Sequence, residues 1–349
     1  MKKILVIKLR KIGDVLLCVP AVRALKEHWP DCSVSALVNK GTEEMLSGNP
    51  WLDEVLIFDR AVKKKYFLSS LAAQWDLIRQ IRQKHFDIIV DLTSGDRPAI
   101  IAALSGAKYR IGHDPRGKGF FGKKFLYTQL VPFNGKEKHI VESNLDVVRL
   151  LGIDPKDKSV SINISSADQT QADKWLAGAG FPPDKKIIHF HPTSDWLFKC
   201  WTDEAAAQLL DYLQLERGYK VVVTSSPAAK EIDKLNNILR LAQSKPLNLA
   251  GRTSLKQLAA VSSRSRLFIG MDSAPMHIAA AVGTPVVALF GPSGEHMWRP
   301  WGDGHTVITK GMPCRPCGKD GCNGSKRSKC LEDISVDEVK AVVDRYLSG

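Results

Sequence analysis

The stretch Leu267-Phe-Ile-Gly-Met-Asp-Ser-Ala-Pro-Met-His-Ile-Ala-Ala-Ala-Val-Gly-Thr-Pro-Val-Val-Ala-Leu-Phe-Gly-Pro292 decides the fold. Its apolar start, ending at Gly270, reads as a strand. Asp272-Ser273-Ala274 is a short polar turn, and Pro275 opens a helix of small residues that carries His277. A second strand, Val286 to Phe290, follows Gly283-Thr284-Pro285. Strand, turn, helix and strand make a βαβ unit, and such units belong to parallel sheets. Proline at the first helical position is preorganised and gives up no hydrogen bond. The free N–H groups of that helix start would lie at the carboxyl end of a strand, where open α/β sheets bind ligands. The place suits an anion such as a diphosphate.

The same alternation runs outward from this unit. In the N-terminal half, strands are expected at Lys3–Leu9, Ser33–Val38, Glu54–Phe58 and Phe86–Asp91, with helices at Val15–His28, Thr42–Gly48 and Ser69–Lys84. Shorter elements are expected at Tyr109–Gly112 and Phe125–Leu130, and a helix at Ile140–Leu151 closes the half. The rhythm then restarts with strands at Lys186–Phe190, Lys220–Thr224, Leu267–Ile269 and Val286–Phe290. Helices are expected at Gln169–Ala177, Asp203–Arg217, Ala228–Ala242, Leu255–Ser262 and Pro275–Ala281. Two α/β halves of similar size result, residues 1–160 and 161–349, joined in a polar segment that holds Pro155, Pro182 and Pro183. A ligand held in a cleft between two such halves is the natural expectation.

A chain of 349 residues is long enough for two ordinary domains. With 44% hydrophobic and 25% charged residues it is a globular protein by composition. The net charge of +13 points to an anionic partner: nucleic acid, an acidic membrane surface or a phosphorylated substrate. No helix-turn-helix, RNP or zinc-finger pattern supports nucleic acid. The start, MKKILVIKLRKIGD, fails as a signal peptide because Lys8 and Arg10 interrupt its short apolar run. It reads as a buried first strand of a cytoplasmic protein, in which the seven cysteines are mostly reduced or metal-bound.

Several clusters carry both a chemical and a plain reading. Leu9-Arg10-Lys11-Ile12-Gly13-Asp14 leads from the first strand into a helix. Asp14 either caps that helix or acts as a general base, with Arg10 and Lys11 attracting an anionic acceptor. One glycine where a dinucleotide fingerprint needs three argues against NAD. Thr193 and Ser194 follow the first strand of the second half and could face a phosphate, with Lys199 adding charge or simply sitting in solvent. Thr202 reads as a helix cap. Gly117-Lys-Gly-Phe-Phe-Gly-Lys-Lys124 nearly matches a phosphate loop but lacks the Ser/Thr after Gly-Lys. Arg116, Lys118, Lys123 and Lys124 interleave there with Phe120, Phe121 and Phe125. Such a mixture suits an anionic membrane surface or acidic glycolipid, or a solvated turn with its phenylalanines in the core. Lys63-Lys-Lys-Tyr-Phe67 is similar. Cys314, Cys317, Cys322 and Cys330 either hold zinc or are reduced or partly disulfide-linked loop cysteines, their spacing being irregular for a zinc ribbon. Trp29, Trp51, Trp75 and Trp175 are expected to pack structural elements, while Trp298 and Trp301 either line the cleft or pack in the core.

Three ordered segments carry a family resemblance: KxxxxGDVLLCVPAVRALKEHWP from Lys8, HPTSDWLFKCWT from His191, and MDSAPMHIAAAVGTPVVALFGPS from Met271. With Phe86–Asp91 and Ser105–Gly112 between them, nearly the whole chain resembles the ADP-heptose:lipopolysaccharide heptosyltransferases, glycosyltransferase family 9. The cysteine-rich tail is most similar to the heptosyltransferase III branch. The resemblance implies an α/β GT-B fold, two Rossmann-like domains facing a central cleft. The acceptor domain would come first and the ADP-sugar domain second, with the last helix packing back on the first domain. It implies an inverting, metal-independent transferase without a cofactor, moving heptose from ADP-heptose to the lipopolysaccharide inner core at the anionic inner-membrane surface. It places Asp14 on the base. Thr193, Ser194 and Lys199 fall on donor phosphate and sugar contacts, and Asp272, Ser273, Ala274 and His277 on the donor-holding motif. Lys199 would also aid departure of ADP. Arg10, Lys11, Arg116, Lys123 and Lys124 remain for the acceptor. The acidic residue expected near Thr224 to contact the ribose is missing, and Glu231 is its displaced candidate. Two alternatives stand beside this: a GT-B enzyme for another nucleotide sugar, and a silent glycolipid-binding protein.

Overall fold

The computed structural model describes residues 1–59, 67–133, 137–181 and 187–348, and of residues 67–73 the backbone alone. The Lys63–Phe67 cluster lies outside the described side chains. The chain divides into two compact units, Met1–Asn163 and Ile164–Gly349.

The first unit contains β1 (Lys3–Lys8), α1 (Ile12–Leu16), α2 (Val19–His28), β2 (Ser33–Asn39), β3 (Glu54–Phe58) and α3 (Phe67–Gln83). It continues with β4 (Ile88–Asp91), α4 (Asp96–Leu104), β5 (Tyr109–His113), β6 (Gln129–Val131) and α5 (Ile140–Arg149). Its strands lie in the order β3-β2-β1-β4-β5-β6 and all pair in parallel. Ile4, Leu5, Val6 and Ile7 are buried on successive, opposite faces of β1. A strand apolar on both faces suits a sheet covered by helices on both sides.

The second unit contains α6 (Ser166–Gly178), β7 (Ile187–His191), α7 (Asp203–Asp211), β8 (Lys220–Val223), α8 (Ala229–Leu241), β9 (Leu247–Asn248) and α9 (Leu255–Ser263). Then come β10 (Leu267–Met271), α10 (Ala274–Ala281), β11 (Val286–Leu289), α11 (Glu295–Trp298), β12 (Thr306–Ile308), α12 (Lys329–Glu332) and α13 (Val336–Leu347). Its order, β12-β11-β10-β7-β8-β9, is again wholly parallel. Numbered from its own first strand, this is the same 3-2-1-4-5-6 Rossmann order as the first unit. One face of the sheet, with Ile188, Val221, Val223, Ile269, Met271 and Leu289, packs in a core with Trp201, Val339 and Val343. Its opposite face supplies Phe268, Val286 and Ala288 to a second cluster around Met276. The last helix buries its apolar stripe in the core of its own unit. Tyr212 Oη bonds Asp344, and Trp201 Nε1 donates to the Ile334 carbonyl at 3.0 Å.

The expected helix Val15–His28 is two helices. Pro20 in the first turn of α2 has no N–H for the Leu16 carbonyl, and its ring crowds that oxygen. Thr42–Gly48 contains only the 3₁₀ turn Glu43–Met45. The expected helix Asp203–Arg217 ends as α7 at Asp211 and continues as a π turn over Tyr212–Glu216. Phe125–Leu130 splits into a 3₁₀ turn, Lys123–Leu126, and β6. Trp75 is exposed rather than packed.

Candidate active site

In parallel sheets of this order the loops that bind ligands leave the carboxyl ends of the strands around the central switch. In the first unit those are the loops after β1 and β4. The first carries Asp14, half-buried in the first turn of α1. Lys11, not Asp14, is the N-cap, and no side chain caps the helix; the capping alternative for Asp14 does not hold. Arg10 reaches across the switch, its Nε and Nη2 donating to the Thr93 carbonyl at 3.2 and 2.8 Å. Asn39 Nδ2 donates to the Arg10 carbonyl at 2.8 Å, and the Leu9 N–H to Thr93 Oγ1 at 2.8 Å. The backbone that presents Asp14 is thus tied to β2 and to the loop after β4. Lys11 is exposed.

Beneath Asp14 lies a buried polar group for which no role was expected. Lys8 Nζ donates to the Leu92 carbonyl at 2.8 Å and to Asn144 Oδ1 at 3.1 Å. Burial lowers the Lys8 pKa, and the negative charge of Asp14 is the largest influence opposing that. Asp91 is wholly buried and accepts from Tyr127 Oη at 2.5 Å and the Thr93 N–H at 2.7 Å. Burial pushes its carboxyl up. The signal for Lys8 was the leading lysine of KxxxxGD; nothing in the sequence announces Asp91 with Tyr127, 36 residues apart.

The basic loop after β5 divides its charges. Lys123 is buried, its Nζ donating to the Ser94 carbonyl at 3.0 Å and pairing with Asp96 at 3.1 Å. Arg116 and Lys124 are exposed, as are Phe120, Phe121 and Phe125. The alternative that placed these phenylalanines in the core does not hold.

In the second unit the equivalent loops follow β7 and β10. Thr193 is fully buried and donates through Oγ1 to Glu231 Oε2 at 2.7 Å, while Ser226 Oγ donates to Glu231 Oε1 at 2.5 Å. Glu231, in the first turn of α8, is fixed beside the β7 loop by these two bonds. Ser194 is buried next to Thr193. Lys199 ends a 3₁₀ turn and crosses to Asp272, Nζ to Oδ2 2.6 Å. Its ammonium also sits 5.0 Å from the ring centroid of Trp196, which stacks on Phe198. Ser273 is the N-cap of α10 and makes no side-chain cap. Met276 and His277 are buried, and Ala274 is half-buried. Below the loops, His189 bonds Ser262 Oγ at 2.8 Å and Thr224 Oγ1 at 2.7 Å, and His191 bonds Thr224 Oγ1 at 2.8 Å. Burial lowers the His191 pKa to about 4, so the ring is neutral at pH 7. The result is a cation held on a carboxylate beside an uncapped helix N-terminus, a place able to receive a phosphate.

Glycosyltransferase family 9 (heptosyltransferase) is the family model that matches residues 74–327. The lipopolysaccharide heptosyltransferase 3 of Escherichia coli is 34% identical over 342 residues, 96% of each chain. The chain belongs to glycosyltransferase family 9. It is a glycosyltransferase of the α/β, GT-B class, and within the family it groups with the heptosyltransferase 3 branch. A family member from Veillonella parvula superimposes over 99% of this chain and 97% of its own, with 25% identity and a TM-score of 0.84. The E. coli ADP-heptose lps heptosyltransferase II does so over 99% and 98%, with 22% identity and a TM-score of 0.78, which speaks for the fold.

Cys314, Cys317 and Cys322 are exposed and Cys330 is buried; none is in a disulfide. Among the described residues no three His, Cys, Asp or Glu side chains are grouped so as to hold a metal ion. Trp298 packs half-buried against the Met276 cluster.

Proposed function

We propose that this chain transfers heptose from ADP-heptose to the inner core of lipopolysaccharide, with inversion at the anomeric carbon. The observation that carries the reading is the Lys199–Asp272 pair, 2.6 Å long, beside the start of α10. The family membership and the names of its relatives supply the sugar and the acceptor. In this reading Asp14 takes the proton from the acceptor hydroxyl as that oxygen attacks the anomeric carbon. The bond to the β-phosphate oxygen breaks, and ADP leaves with its electron pair. Lys199 and the N–H groups at the start of α10 offset the charge that grows on the diphosphate. Asp272 holds the Lys199 ammonium in place. Thr193, Ser194, Ser273, Ala274 and His277 shape the donor pocket, and Glu231 orients Thr193 and contacts the donor ribose. Arg10 and Lys11, with Arg116, Lys123 and Lys124 further along the same sheet edge, take the acceptor's anionic groups; Lys123 acts from below, through Ser94 and Asp96. Among the described residues no helix is long and apolar enough to cross a membrane. The chain is proposed to work on the cytoplasmic face of the inner membrane, from its surface.

The test measures transfer from ADP-heptose, with GDP- and UDP-sugars as competitors, by wild type and Asp14→Asn. Transfer should need the ADP-sugar, and Asp14→Asn should lose about 10²–10⁴-fold in turnover while still binding donor. Wild-type turnover in that variant would remove Asp14 from the mechanism. Preference for a GDP- or UDP-sugar would replace the donor.

A further inference from the structure

The segment from Asp114 to Leu126, after β5, has a pinned base and an exposed tip. At its base Pro115 is buried, the Arg116 N–H bonds Asp114 Oδ1 at 2.8 Å, and buried Lys123 is tied to the Ser94 carbonyl and Asp96. Gly119, at φ 91°, takes a backbone conformation that favours glycine and packs against the Asp96 carboxylate. At the tip Phe121 is 102% exposed, Phe125 73% and Phe120 39%. Lys124 lies over the Phe125 ring, Nζ 5.1 Å from its centroid, and Arg116 and Lys118 are exposed beside it. Asp114 is the one acidic residue in the segment. Single exposed apolar residues are ordinary. Three aromatic rings on one fixed loop, flanked by three cations, match the two layers of an anionic bilayer surface instead. Because β1, β4 and β5 are parallel, this loop leaves the same edge of the sheet as the loop that carries Asp14.

We propose that this loop is a membrane-docking element: Phe120, Phe121 and Phe125 enter the headgroup layer of an anionic phospholipid bilayer and Lys118 lies on its phosphates, while Arg116 and Lys124 meet lipid phosphates until an acceptor in the same surface takes their place. Docked this way, the Asp14 edge of the first unit faces the lipid surface. The benefit to catalysis rests on the glycolipid acceptor proposed above; the docking does not.

Co-sedimentation with vesicles of phosphatidylglycerol in phosphatidylcholine, against phosphatidylcholine alone, tests it. The wild type should bind the anionic vesicles and lose that binding as salt rises. The double variant F121S/F125S should bind at least about tenfold less, and K118E should bind less while remaining folded by circular dichroism. F121S/F125S should keep wild-type transfer to a soluble, deacylated acceptor and lose transfer to vesicle-embedded acceptor. Vesicle binding by F121S/F125S equal to wild type overturns the proposal, as does a wild type that ignores anionic vesicles. A wild type that dimerises through these phenylalanines and binds no vesicle overturns it in favour of a second copy. If vesicles bind as stated but no sugar moves in solution, the transferase reading fails and the docking stands.

Discussion

Lys199 and Asp272 are 73 residues apart in sequence, yet form one ion pair. The sequence offered each as a separate candidate; only folding of β7 beside β10 joins them. The ammonium is already oriented on the carboxylate, which in the proposed reading makes it a preset charge for the diphosphate. Lys199→Ala should weaken ADP binding about 10- to 100-fold in calorimetry, the range for a charged hydrogen bond; unchanged affinity would take Lys199 out of the donor site. Lys123 shows the reverse failure of sequence reading. It stood in a basic run as one more surface cation, and the structure buries it on Asp96. Glu231 was singled out only by its position along the chain; what the structure adds is its bonds to the hydroxyls of Thr193 and Ser226. Histidines at the sheet make a pH prediction. Burial lowers the His113 pKa from 6.5 to about 4, and among the described residues neither ring nitrogen has a hydrogen-bond partner. Between those two values the unfolded chain binds a proton that the folded chain refuses. The stability present above pH 6.5 is therefore lost as pH falls toward 4, by about 3 kcal/mol at most for this group. Urea melts of His113→Leu should show a shallower fall across that window than wild type. An identical slope would mean that His113 does not titrate on unfolding.

Elements were legible where periodicity ran long enough to register. All four strands expected in the second half are present, because each is a short, mostly apolar run between turns. β9, of two residues, and β12, of three, have no period to read. They exist because β8 and β11 present open edges to them. α4 was overlooked although Asp96 and Pro98 stand in its first turn, both helix-start signals. The break between α1 and α2 was also written in Pro20. β10 makes a prediction of its own. A Cβ on Gly270 would lie 2.7 Å from the Phe268 ring and 3.1 Å from the His191 carbonyl, backbone of the neighbouring strand. Gly270→Ala should force β7 and β10 apart and cost about 1–3 kcal/mol, as overpacking does. Because Asp272 follows directly, ADP affinity should fall as well. A variant with wild-type melting temperature and ADP affinity would show that the strands yield freely at this point.

At the scale of the molecule, two units share one strand order without any repeat visible in the sequence. Topology is kept by the βαβ rhythm, which many different apolar residues satisfy. If ADP is held by the second unit, it should protect that unit selectively. At about a hundredfold excess over its Kd, ADP adds about 2.7 kcal/mol to the state that binds it. Amide hydrogen exchange should slow around β7, β10 and α10 and not in β1 or β4; equal slowing in both sheets would contradict a donor site confined to the second. The placement of α13 has a consequence for synthesis. The first unit is contiguous and can fold as soon as it emerges. The second begins its sheet at Ile187, and the helix that closes one face of its core starts only at Val336. At about 5–20 residues per second, β7, β8, β10 and β11 wait on the order of ten seconds for that cover. Their apolar face is in the meantime work for a chaperone, and the second unit is where misfolding of the nascent chain should concentrate.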